Sequence, residues 1–244
     1  MEADVKRIIV GKNFQWLVLA IMVTLLLAIT ASAWAKDIQT NSLEMTDAPD
    51  WVTRASVEKV IDHIQMVLEW TIRKIQVHWY FDAEKFAHSH SLGSTTLAYS
   101  RRSDNSVHLG PKVNRDNFGP VLGHELVHVI LFQKYQEAVP KWLEEGLANH
   151  LARFGKVDYT WLKQQPFPKD VRTLVHPSRG SVLDVRYNYL ASQALIEMIS
   201  AKCDLTNLLR LSVERKLEDY LDTYCEIKDL NLSFKKWVQS HSSS

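Results

Sequence analysis

Hydrophobic spacing divides the chain into stretches of two different periods. Across residues 55–74, Val57, Val60, Ile61, Ile64, Val67, Leu68 and Ile72 recur three and four apart, which gathers them on one face of an amphipathic helix. Residues 75–81 (IQVHWYF) change to alternation and are rich in branched and aromatic side chains, the pattern of a strand on which that helix can pack. A short helix is expected at 83–86. The segments TTLAYS (95–100) and SVHL (106–109) flank the polar turn sequence RRSDN, so a hairpin is the economical reading. Helical spacing returns at 117–135, with Asn117 placed to cap and Pro120 in the first turn, where its missing N–H removes no helical hydrogen bond. Pro140 starts another helix reaching about residue 154. After a proline-rich loop, residues 185–201 form a third strong helix, and residues 205–237 read as helical in two pieces. The expected fold class is α+β: an N-terminal helix and a small mixed β-sheet, followed by a mostly helical C-terminal half.

The first thirty residues follow neither pattern. Residues 14–30 (FQWLVLAIMVTLLLAIT) are apolar and uncharged, with Lys6, Arg7 and Lys12 before them and no basic residue after them until Lys36. That asymmetry predicts a cytoplasmic N-terminus and export of the remainder. Two readings stand. Ala31-Ser32-Ala33 and Ala33-Trp34-Ala35 each offer a small-x-small cleavage site of a signal peptide, whereas the length of the run suits a retained single-pass anchor. The expected organisation is a signal peptide or membrane anchor over 1–35, a polar, turn-rich linker over 36–52, and one domain over 53–241. The domain is expected outside the cytoplasm, periplasmic or at the cell surface, either secreted or held to the membrane through the N-terminal segment.

Composition adds limits. With 244 residues, 46% of them hydrophobic, the chain can bury one substantial core. The 29 basic and 28 acidic residues nearly cancel, so the field that would draw a protein to nucleic acid is missing and no nucleic-acid partner is expected. Cys203 and Cys225 lack CxxC spacing; they either pair as a disulfide, which the exported compartment permits, or sit apart as small buried hydrophobes. No pattern in the sequence fixes an oligomeric state.

The chemistry concentrates in GHELVHVILFQKYQEAVPKWLEEGLANH, residues 123–150. His124 and His128 stand four apart, so on the predicted helix they share a face one turn from each other and both imidazoles can converge on one ion. Glu125 lies about 100° round the helix, placed to hold a water beside that ion. A catalytic zinc site takes three protein ligands and keeps one position open, so a third ligand must come from elsewhere. The helix that begins at Pro140 can run back past the first, and it carries Glu144 and Glu145 near its start.

HExxH followed by Trp142-Leu143-Glu144-Glu145-Gly146-Leu147-Ala148 resembles the gluzincin metallopeptidases of the MA clan, whose second element reads close to W-L-x-E-G-x-A. The chain is most similar to the compact bacterial "peptidase MA-like" branch, specifically over residues 123–151 and in looser pattern over about 57–237. The resemblance implies a thermolysin-like catalytic domain, one Zn2+ bound by His124, His128 and Glu145, and a peptide or protein substrate. It makes Glu144 a solvated carboxylate in the first helical turn. Glu125 would act as general base towards a water acidified by the zinc, then pass the proton to the leaving amine. A donor to the developing oxyanion is expected from the third helix, with Tyr189 the better match and Tyr187 the reserve; either also suits a packed core position. Asn149, four residues after Glu145, is expected to accept from the distal nitrogen of a ligand histidine.

Among the remaining histidines, His63, His78, His88, His90, His150, His176 and His241 show no ligand spacing and are expected to be solvated or locally hydrogen-bonded. His108 is expected on an edge strand at 106–109 that borders the cleft, in a substrate-groove or purely structural role and not as a metal ligand. No GxMEN sequence, the exopeptidase signature of aminopeptidase N, precedes His124, which favours an endopeptidase over an aminopeptidase. Two other readings use the same residues. One is a catalytically inactive gluzincin fold serving in binding or envelope assembly, although such a protein has no chemical need for Glu125. The other is a metal-free helical membrane-associated protein in which the pentapeptide is accidental.

Overall fold

Two strands occupy the segment whose polar composition suggests a linker. In the computed structural model, which describes residues 35–153, 155–175, 181–213 and 217–241, β1 (Ala35–Gln39) and β2 (Leu43–Pro49) pair antiparallel at one end of a five-stranded sheet. Most of the segment expected as a linker is thus part of the sheet. Leu43 and Met45 point into the core while Glu44 and Thr46 lie between and beyond them, so the period of two is present but too short to outweigh the surrounding polar residues. Thr40 fixes the turn: its Oγ1 accepts from the Leu43 amide at 3.0 Å. The apolar run at 14–30 lies outside the described residues. Among those described, no helix is long and apolar enough to cross a membrane.

From β2 the chain enters α1 (Arg54–Leu68), the expected amphipathic helix, which opens with a reciprocal capping box between Thr53 and Ser56. Its buried face, Val57, Ile61, Ile64 and Leu68, belongs to the main core. The chain returns as β3 (Ile75–Trp79), parallel to β2, with Ile75, Val77 and Trp79 buried. A short helix, α2 (Ala83–His88), is capped by the Asp82 carboxylate. The expected hairpin follows as β4 (Ala98–Arg101) and β5 (Ser106–Leu109). The sheet order is β1-β2-β3-β5-β4, so β5 lies inside the sheet, parallel to β3, and β4 forms its edge.

The second half is helical. Helix α3 (Phe118–Tyr135) is buried on nearly every face, as expected of a helix apolar all round, and α4 (Lys141–Leu151) packs against it. Between α4 and the next long helix lie α5 (Tyr159–Lys163) and a single 3-10 turn at Val171–Thr173, both too short to leave a periodic signal. Helix α6 (Val182–Ser200) begins with a Ser181/Asp184 capping box and packs on α4. The stretch expected in two pieces contains three among the described residues: α7 (Leu205–Ser212), α8 (Leu217–Thr223) and α9 (Leu230–Ser240). The last break has a local cause. Glu226 takes a left-handed backbone conformation (φ 56°), and Asp229 then caps α9.

Cys203 and Cys225 form a disulfide that ties the end of α6 to the end of α8 across 22 residues of sequence. A closed loop of that size restricts the unfolded chain enough to stabilise the fold by about 3 kcal/mol. The Cys203→Ser, Cys225→Ser double variant is expected to unfold at correspondingly lower denaturant concentration. A midpoint equal to that of the oxidised wild type would show that the bridge constrains nothing.

Candidate metal centre

Helix α3 supplies His124 and His128 one turn apart, and their Nε2 atoms approach to 3.1 Å. After Tyr135 the chain reverses through residues 136–139, with Gln136 at φ 55°, and Pro140 caps α4. That short return brings Glu145 alongside, with Oε2 3.7 Å from each of the two Nε2 atoms. Donors held at 2.0–2.2 Å around one tetrahedral ion stand roughly 3.3 Å apart, and the observed separations bracket that spacing. His124, His128 and Glu145 could thus hold a metal ion. The surrounding charge also suits a cation. Burial opposes charge on His128, but the Glu145 carboxylate and the hydrogen bond to Glu144 outweigh it and lift the His128 pKa to about 9.

Glu145 is followed by Gly146 for a steric reason. A Cβ at Gly146 would lie 2.5 Å from Ile196 Cγ1 and 2.9 Å from the Ser192 carbonyl oxygen, so only glycine lets α4 approach α6 this closely. Gly146→Ala is expected to force the helices apart at a cost of about 1–3 kcal/mol, more than the ~1 kcal/mol alanine gains in helix propensity. Urea unfolding checks this; a variant as stable as the wild type would mean that Ile196 yields freely.

Glu125 lies on α3 beside His124, 7% exposed, at the wall of a cleft of about 290 Å³ that also exposes His124, His128, Glu145, Ser100 and Tyr189. Its burial, with the Glu145 charge adding, raises its pKa to about 7 against the opposing pull of His128 and hydrogen bonds from Ser100. A carboxyl group so poised can take up and release a proton near neutrality. Tyr189, from α6, has its ring centroid 5.9 Å from that of His124. Burial, then the charges of Glu125 and Glu145, push its hydroxyl well above the usual tyrosine range, so it keeps its proton and can donate. The reserve candidate Tyr187 instead donates its hydroxyl to the Pro166 carbonyl at 3.0 Å and does not line the cleft.

Three expectations fail here. Glu144 is not solvated: it is 3% exposed and accepts from His128 Nδ1 at 2.7 Å, from Arg102 and from Lys141. Burial opposes its ionisation, but the hydrogen bond from His128 and the Lys141 ammonium hold its pKa down at about 2. It therefore takes the supporting role expected of Asn149. Asn149 lies a turn further along α4, against α6, where its Nδ2 donates to Ser192 Oγ at 2.9 Å and its buried Oδ1 accepts no hydrogen bond from a histidine.

For His108 the third failure is its placement alone: it sits on interior strand β5, and the strand bordering the cleft is β4. Its ring stacks on Tyr99 with centroids 4.4 Å apart, and its nitrogens meet Tyr80 Oη at 3.0 Å and Ser106 Oγ at 2.8 Å. Ser106 spends its one proton on Asp104, so His108 Nε2–H donates to Ser106 and Nδ1 accepts from Tyr80. Burial above all, with Arg101 and His78 adding, lowers its pKa to about 4, and the neutral ring is structural.

Glu144, Arg102 and Ser100 were not legible as site residues from spacing. Glu144 had one usable signal, Lys141 three residues before it on the same helix face. No protein-family model and no curated protein sequence matches the chain.

Proposed function

We propose that the protein is a zinc-dependent peptidase of the gluzincin type, exported or membrane-anchored, that acts as an endopeptidase on extended peptide segments. One observation carries the reading: a buried glutamate with a pKa near neutrality shares a cleft with a His-His-Glu cluster of metal-ligand spacing. Zinc, held by His124, His128 and Glu145, would supply Lewis acidity, lowering the pKa of a water and polarising a carbonyl. Glu125 accepts the proton of the attacking water and delivers it to the leaving amine. The Tyr189 hydroxyl donates to the oxygen on which negative charge develops. Among the described residues strand β4 has a partner, β5, on one side only, and Ala98, Tyr99 and Ser100 line the cleft, so this sheet edge suits an extended substrate. Export is supported by the Cys203–Cys225 disulfide, a bond that persists in oxidising compartments.

The test is cleavage of a mixed peptide library by the zinc-loaded wild type and by Glu125→Gln. Cleavage by the wild type alone supports the reading. Zinc binding without cleavage by either protein replaces it with the inactive binding module.

A further inference from the structure

Arg102 stands in the β4–β5 turn, 42 residues before Glu144 in the chain, yet its Nη2 lies 2.8 and 3.0 Å from the two Glu144 carboxylate oxygens. Its Nη1 donates to Glu137 at 2.6 Å, and its Cζ lies 5.2 Å from the Phe132 ring centroid. One side chain thus joins the hairpin to the end of α3, the loop beyond it and the first turn of α4. Glu144 Oε1 is shared: it accepts from Arg102 on one side and from His128 Nδ1, at 2.7 Å, on the other. A guanidinium is a rigid donor fork that stays charged, so it fixes the direction of a carboxylate as well as its charge; an ammonium supplies only a point charge on a flexible stem.

We propose that Arg102 is a positioning residue of the metal centre. It fixes the Glu144 carboxylate in the orientation that holds His128, and so sets how tightly the centre retains zinc. The inference rests on the zinc reading above. Without the fork, Glu144 keeps Lys141, whose side chain is 55% exposed, and the carboxylate is free to turn from His128. The imidazole then loses the partner that fixes its ring direction and its Nδ1–H tautomer. Partners of this kind change metal affinity about 10–100-fold when removed.

Zinc affinity of the full chain, measured by competition with a chromophoric chelator, tests the proposal. Arg102→Met keeps an apolar stem over Phe132 and loses the fork; it is expected to bind zinc about 10–100-fold more weakly, with Arg102→Lys in between. Arg101→Met removes the neighbouring ion pair to Asp104 and loosens the same hairpin without touching Glu144, and it is expected to bind as the wild type does. Unchanged affinity in Arg102→Met overturns the proposal. Equal losses in Arg101→Met and Arg102→Met also overturn it, because the hairpin would then act through general stiffness. If Arg102→Met does not fold, Arg102→Lys decides: weaker binding supports the proposal and wild-type affinity overturns it. Wild-type affinity no greater than that of His128→Ala defeats the zinc reading, and the role of Arg102 falls with it.

Discussion

Glu125→Gln is expected to bind zinc as tightly as the wild type and to hydrolyse peptides at least 10²–10⁴-fold more slowly, the range set by loss of a positioned proton-transfer group (about 10²–10⁴-fold). Glutamine matches the shape of the buried carboxyl group and can keep a hydrogen bond with Ser100, but it cannot accept the proton of an attacking water. Because Glu125 is no ligand of the cluster, the loss should appear in kcat with the metal content unchanged. Tyr189→Phe makes the useful comparison. It removes one donor to a developing negative charge, for which a loss of about 10²–10³-fold is expected. Peptide turnover at fixed zinc occupancy measures both. Full activity in Glu125→Gln would remove it from the chemistry, and full activity in Tyr189→Phe would return that tyrosine to the core.

Zinc is expected to raise the unfolding temperature of the wild type and to leave that of His128→Ala nearly unmoved. A ligand that binds only the folded state at about 100 times its dissociation constant stabilises by about 2.7 kcal/mol. For a domain of this size, each kcal/mol shifts the unfolding temperature by roughly 2–4 °C, so a rise of about 5–10 °C is expected. Glu145→Ala should behave like His128→Ala, and a chelator should reverse the wild-type shift. Glu125→Gln should show the full rise, which separates holding the ion from using it. An equal rise in His128→Ala would mean that zinc binds elsewhere on the protein.

Helices α1, α3, α4 and α6 were legible because each repeats its apolar residues over several turns, and the HExxH spacing is readable only on such a helix. Two local facts pointed to the cluster, histidines four apart and a short return carrying Glu144 and Glu145, but only the resemblance to the gluzincin motif chose Glu145 between the two. What spacing could not reach was pairing over distance. Glu144 read as solvated because its cation, Arg102, comes from a turn 42 residues away. His108 read as an edge residue because strand order is not local: β5 is enclosed by β3 and by β4, which precedes it in the chain. The β1–β2 hairpin failed for a third reason, an alternation only two residues deep within a polar segment.

That hairpin also alters the geometry of any attachment to a membrane. A free chain over residues 31–52 would let the domain roam about 77 Å from an anchor ending at residue 30, at about 3.5 Å per extended residue. With β1 starting at Ala35, only residues 31–34 remain between the apolar run and the sheet, a reach of about 14 Å. If the run is retained, the tether holds the β1 edge of the sheet near the lipid, whereas the cleft opens beside β4 at the opposite edge, four strand spacings or about 19 Å across the sheet.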